Sequence, residues 1–239
     1  MAKDRCVLLL DGPSGRLAGL RDRLSGLGLS GVVAKDPAEA GRALAGRSPA
    51  RVALLVPEFG APALREALAS LVEKAPERDL GFVATGPTPS AETRSRLRGA
   101  GVRLALWEPF DDGALRFQIN RARHHKGNGR DEMRIPTTLL ARIIAADRPR
   151  DAIIYNLSAR GAFLETPRAQ LRGALIEIEI PLPSGMVRVR ARVRFHNVAG
   201  NLLRSNLPFG MGIEFTGVPR DATDAIRVYV EERSKAFEV

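Results

Sequence analysis

Two short polar clusters in the second half of this 239-residue chain carry side chains whose types and spacing could do chemistry. The first is Arg130-Asp-Glu-Met-Arg134, which runs straight into Ile135-Pro136. It sets two guanidiniums one helical turn or one short loop apart. Each is a flat, permanently charged fork able to grip phosphate oxygens in pairs or to stack on a purine face. The second is Asn156-Leu-Ser158-Ala-Arg160-Gly161, between apolar runs that read as strands. It offers an amide, a hydroxyl and a glycine in one turn, the glycine standing where a side chain would obstruct a ligand or where the backbone needs a positive φ. Arg130, Arg134, Asn156, Ser158 and Gly161, with Arg160 as an additional contact, suit a compact, doubly charged, purine-bearing ligand.

The elements that must position these clusters fall into two sets. Over residues 1–120, short apolar runs alternate with helical patterns. Arg5–Leu10, Gly31–Ala34, Arg51–Val56, Leu80–Ala84 and Val102–Leu106 read as strands. Leu17, Leu20, Leu24 and Leu27 recur at helical spacing. Asp36-Pro-Ala-Glu starts a helix with an Asp cap and Pro in its first turn, and Ser90-Ala-Glu-Thr opens another. Further helices are predicted across Pro62–Lys74 and Asp111–Arg123. Strands alternating with helices in this way predict a doubly wound parallel sheet. Residues 121–136 read as a linker that carries the arginine pair, because Arg121–Arg130 lacks apolar periodicity and contains glycines. Residues 137–239 form the second domain. Thr138–Ala145, Ala152–Tyr155, Leu175–Ile180, Val187–Phe195 and Gly210–Phe215 read as its strands, and Asp221–Ala236 as an amphipathic helix capped by Asp221.

Val187–Phe195 is the cleanest period-two segment. Val187, Val189, Ala191, Val193 and Phe195 face one way and Arg188, Arg190, Arg192 and Arg194 the other, so guanidiniums line one face about 7 Å apart. The plain expectation is the solvated face of a small barrel. The functional alternative is that the stripe reaches a ligand or engages an acidic partner.

The order of the two clusters, RxxxR and then (D/N)xSxxG, resembles the PilZ domain family, bacterial receptors for cyclic di-GMP. The resemblance runs from about Arg121 onward and includes Gly210-Met-Gly212-Ile-Glu-Phe215 late in the chain; Asn156 stands where many members have Asp. It implies a small antiparallel β-barrel followed by a helix. It also implies that Arg130 and Arg134 engage the phosphates and guanines, that Asn156 and Ser158 hydrogen-bond the dinucleotide, and that Gly161 lets the backbone come close. The first 120 residues resemble the receiver domain of response regulators, with Trp107-Glu-Pro109-Phe110 in the place of its Lys-Pro-Phe segment. The receiver's chemistry is not carried over: Asp11 stands beside Gly12 without a second acid, Val56-Pro57 occupies the phospho-acceptor position, and Glu108 replaces the lysine. Thr85 alone matches its expected place, and Glu58 falls too late to meet a metal. A pseudo-receiver that serves as a docking domain is the expectation.

Composition narrows the classes of function. The chain carries 17 Lys and Arg against 14 Asp and Glu in residues 1–120, but 20 against 13 in residues 121–239, so the positive excess collects with the two clusters and favours an anionic partner. With 5% aromatics and no zinc-finger or helix-turn-helix spacing, a specific nucleic-acid reader is not expected. Cys6 is the one cysteine, so no internal disulfide forms and a cytoplasmic location is expected. Three histidines and one cysteine give no metal-ligand spacing. No apolar run reaches the ~20 residues that span a bilayer. No nucleophile–base set or phosphate loop is present, so no enzyme, cofactor or catalytic residue is predicted. The expected activity is that of a cyclic di-GMP receptor that couples binding to a change in domain arrangement and in protein partner. Domains of both kinds often pair, so a homodimer is one expected arrangement. The competing reading is an adaptor that binds no nucleotide and docks through the pseudo-receiver and the basic barrel face.

Overall fold

The structure is a computed structural model that describes residues 5–13, 15–46, 50–60, 62–75, 77, 79–124, 132–145, 148–200 and 207–239. It divides into two units, residues 1–129 with Ala236–Val239, and Arg130–Lys235.

In the first unit, β1 (Cys6–Leu10), β2 (Ser30–Ala34), β3 (Val52–Leu55), β4 (Gly81–Gly86) and β5 (Leu104–Trp107) form a sheet in the order β2-β1-β3-β4-β5. Every pairing is parallel. β1 and β3 are buried at each position, which is why they read as unbroken apolar runs: helices cover both faces of a parallel sheet. The helices are α1 (Leu20–Gly26), α2 (Pro37–Leu44), α3 (Leu64–Lys74), α4 (Ala91–Gly99) and α5 (Asp112–Arg123). Three of their starts are fixed by side-chain caps. Asp36 accepts from the Glu39 amide at 2.8 Å, Ser90 from Thr93 at 3.2 Å and Asp111 from Ala114 at 2.7 Å, each satisfying an amide the helix itself cannot. The helical leucines at 17–27 divide between a 3-10 turn (Arg16–Gly19) and α1. There the Ala18 amide turns to the Asp11 carboxylate at 3.2 Å. Cys6 is buried, and burial pushes its thiol up while a hydrogen bond with Ser30 pulls the other way.

The second unit is a closed barrel of β6 (Ile135–Ala145), β7 (Arg148–Ser158), β8 (Gly161–Glu165), β9 (Leu175–Leu182), β10 (Gly185–Asn197) and β11 (Gly210–Phe215), in the cyclic order β10-β11-β8-β7-β6-β9. All its pairings are antiparallel, and closure leaves no strand edge unpaired. α6 (Arg220–Ser234) lays Ala222, Ile226 and Val230 on the barrel core. Its cap is Pro219, whose extended backbone starts the helix, and Asp221 sits instead in the first turn, where its charge still favours the helix dipole. β8 is a five-residue strand that begins at the last glycine of the second cluster. It is the apolar run on the C-terminal side of that cluster, to which the sequence reading gave no bounds.

The arginine stripe of β10 faces outward as its alternation predicts, but it is interleaved with carboxylates. Arg188 lies 3.4 Å from Glu177 and 3.7 Å from Glu179, Arg190 3.4 Å from Glu177, and Arg194 3.5 Å from Glu214. Exposed pairs of this kind contribute at most about 1 kcal/mol each, yet they locally balance the charge. Among the described residues, no helix is long and apolar enough to cross a membrane.

A side chain at Gly81 would collide with the main-chain carbonyl of Ala122, so α5 packs on β4 only because that position is bare. Gly81→Ala is expected to destabilise the first unit by about 1–3 kcal/mol, the usual cost of overpacking. Urea unfolding followed through Trp107, the one tryptophan, measures it.

Candidate functional site

The two polar clusters meet at the end of β7. Regular pairing breaks there on both sides. On β6 the register runs Ile135↔Leu157 and Pro136↔Asn156, then shifts before Leu139↔Ile154. On β8 it shifts between Ile154↔Leu164 and Asn156↔Phe163. An extra residue in a ladder bends the strand and re-aims its side chains. The Leu139 amide bonds to Thr137 Oγ1 at 3.0 Å within the irregular stretch.

The consequence is a direct link between the clusters. Arg134 Nη1 donates to Asn156 Oδ1 at 2.9 Å, although the residues lie 22 positions apart. Asn156 is buried, so its amide is a fixed acceptor and holds the guanidinium plane in one orientation. Being neutral, it orients that charge without cancelling it. At the rim, Arg160 Nε lies 3.9 Å from Glu132 Oε1, inside the first cluster, with most of its side chain in solvent. Arg130 lies outside the described residues, so Arg134 is the arginine of the pair with a described position.

Ser158 and Gly161 are placed differently from the two polar heads. Ser158 is fully buried, and its hydroxyl donates to the Gly161 carbonyl at 3.0 Å, closing the turn from β7 to β8. Gly161 has no positive φ. A side chain there would overlap the Ile213 carbonyl, because β11 crosses at Glu214↔Gly161. The bare position answers the close approach of the protein's own strand, a reason the sequence reading did not offer.

Behind the turn stands an aromatic group that the sequence reading missed. Tyr155 and Phe163 meet edge to face with centroids 6.0 Å apart, and Phe163 and Phe195 lie at 5.9 Å. Phe195 occupies the space that a Gly212 side chain would take. Four strands, β7, β8, β11 and β10, bring these rings together through Asn156↔Phe163, Gly212↔Phe163 and Phe195↔Gly212. The available signal was the pair of glycines in Gly210-Met-Gly212, which marks a place where something large leans on the strand.

In the first unit, Asp11 is buried at the end of β1, and its Oδ1 has no hydrogen-bond partner among the described residues. Val56 is buried, and the Pro57 carbonyl accepts from Arg96 Nη2 at 2.9 Å. Thr85 is buried and donates to the Val83 carbonyl at 3.4 Å, while Glu58 points to solvent and Glu108 precedes a cis proline. No group of His, Cys, Asp and Glu that could hold a metal occurs among the described residues.

Residues 128–232 match the model of the PilZ domain family, and the second unit is a PilZ domain. PilZ domains are a family of cyclic di-GMP receptors. The chain is similar in structure to the motility inhibitor MotI/DgrA of Bacillus subtilis, with 20% identity and a TM-score of 0.38, over 45% of this chain and 52% of that one. It thus spans about half the length of that protein. It is also similar to the PilZ domain with c-di-GMP of YcgR from Escherichia coli (17% identity, TM-score 0.36, over 45% and 93% of the two chains). The N-terminal region matches receiver domains, including that of a sensor histidine kinase from Pseudomonas aeruginosa (17% identity, TM-score 0.42, over 50% and 97%). No curated protein matches the chain.

Because Gly161 lies against the main chain of β11, Gly161→Ala is expected to lower the stability of the barrel by about 1–3 kcal/mol. Amide exchange across Gly161–Glu165 should accelerate, while the urea transition reported by Trp107 in the first unit stays where it was.

Proposed function

We propose that the chain is a cyclic di-GMP receptor whose ligand binds where the two clusters meet. The observation that carries this reading is the 2.9 Å bond from Arg134 to Asn156, which holds a guanidinium from the first cluster against the amide of the second. In the proposal, Arg130 and Arg134 grip the phosphates bidentately and stack against guanine, the two things a planar guanidinium does that an ammonium does not. Asn156 hydrogen-bonds the ligand while keeping Arg134 in place. Ser158 and Gly161 set the shape of the turn and its close backbone, and Arg160 adds a contact from the rim. A negatively charged ligand also suits the charge balance of residues 121–239, where Lys and Arg outnumber Asp and Glu by 20 to 13.

The domains in this reading are a pseudo-receiver over residues 1–120, a linker over 121–136 that carries the arginine pair, and the barrel with its helix over 137–239. Ligand closure on Arg130 draws the linker onto the site, changes the arrangement of the domains and presents a different surface to a protein partner or to a second copy. No bond is made or broken. Charge-assisted hydrogen bonds contribute roughly 1.5–3 kcal/mol each, so Arg134→Ala should weaken cyclic di-GMP binding about tenfold or more. Calorimetric titration, with GTP and linear pGpG as controls, reads this directly. Unchanged affinity in Arg134→Ala would remove the assigned role. A wild-type chain that ignores the dinucleotide would be the adaptor instead.

A further inference from the structure

Residues Ala236–Val239 belong to the first unit although the helix that precedes them belongs to the second. They lie along β5, which ends the sheet order and so presents main-chain groups to no further strand. Glu238 bridges Leu104 in the antiparallel sense, and the Val239 amide donates to the Arg103 carbonyl at 3.1 Å. Phe237 and Val239 are buried in the first core, while Glu238 between them meets Arg121 Nη2 at 3.3 Å. Alternate side chains thus face opposite ways, as in a strand. Arg98 Nη1 adds a bond to the Val239 main-chain oxygen at 2.9 Å. Gln118 of α5 is fully buried, and its amide nitrogen donates both to Ala105 of β5 at 2.7 Å and to Phe237 at 2.8 Å.

These contacts have the character of recognition as well as packing. An apolar–acidic–apolar segment is held by burial of its two apolar side chains in the core, a basic rim and main-chain bonds, the combination by which sheet edges bind extended peptides. β2 at the other end of the sheet is exposed or half-buried at four of its five positions, and no strand pairs its outer edge among the described residues. The two ends of one sheet are therefore treated differently.

We propose that the β5 edge, with α4 and α5, is a strand-docking site that residues 236–239 occupy as a displaceable intramolecular strap. Its free form accepts an extended apolar–acidic–apolar segment in trans, with the chain's own strap as the competitor. The strap continues directly from α6 through a 3-10 turn at Lys235–Phe237. This inference does not depend on the dinucleotide reading.

Two measurements on the full chain test it. A labelled peptide of residues 232–239 is titrated into wild type and into Phe237→Asp, which unseats the strap while leaving the groove intact. A covalently attached competitor acts at an effective concentration set by its short tether, so the peptide should bind Phe237→Asp about tenfold more tightly or better. Equal binding, or none to a variant whose Trp107 unfolding transition is native, overturns the proposal. In the unaltered chain, the Val239 amide should exchange about tenfold faster or more than that of Leu9 at the sheet centre, because a displaceable strap opens locally. If both exchange at the rate of global unfolding, the strap is a permanent part of the fold and the site does not exist.

Discussion

The barrel hinges on how closely β11 runs past the start of β8. That approach requires a bare position at Gly161, and it brings the Ser158 hydroxyl onto the Gly161 carbonyl, so the turn between β7 and β8 has one shape. A turn fixed in this way fixes the end of β7. The irregular pairing on both sides of β7 then presents Asn156 to Arg134. Buried hydroxyls and amides are costly unless bonded, so each of these bonds also penalises any rearrangement of the turn. The Arg134 guanidinium therefore rests on a turn whose own polar groups are already bonded.

The two units solve the problem of strand edges differently. The barrel removes its edges by closure, and Arg188, Arg190 and Arg194 on the outer face of β10 are matched by Glu177, Glu179 and Glu214 across the neighbouring strands. The open parallel sheet keeps two ends, and among the described residues the one at β5 is covered, by residues 236–239. In that sheet Asp11 holds a buried carboxylate at the end of β1, Val56 and Pro57 follow β3, and the Glu108–Pro109 bond after β5 is cis. What the first unit retains is a packed scaffold with structured borders.

Much of this was legible in the chain itself. Unbroken apolar runs at Cys6–Leu10 and Val52–Leu55 belong to doubly covered strands, and Asp36, Ser90 and Asp111 mark helix starts by capping chemistry that acts over three residues. The alternation of β10 gave its inward and outward faces. What could not be read depends on partners far along the chain. The reason for Gly161 lies in Ile213 and the setting of Phe195 in Gly212, while Gln118 looks like a solvated helix residue until Phe237 arrives beside it. Asp221 was misread because capping depends on the backbone angle of the residue before the helix, and Pro219 supplies that angle.

The bare border of β2 has a consequence for assembly. A sheet with two sticky margins can add copies at both and grow without limit, whereas one with a single sticky margin stops after one addition. While residues 236–239 stay seated on β5, association of this chain by sheet extension through β2 ends at pairs, and it is their displacement that would open a second margin.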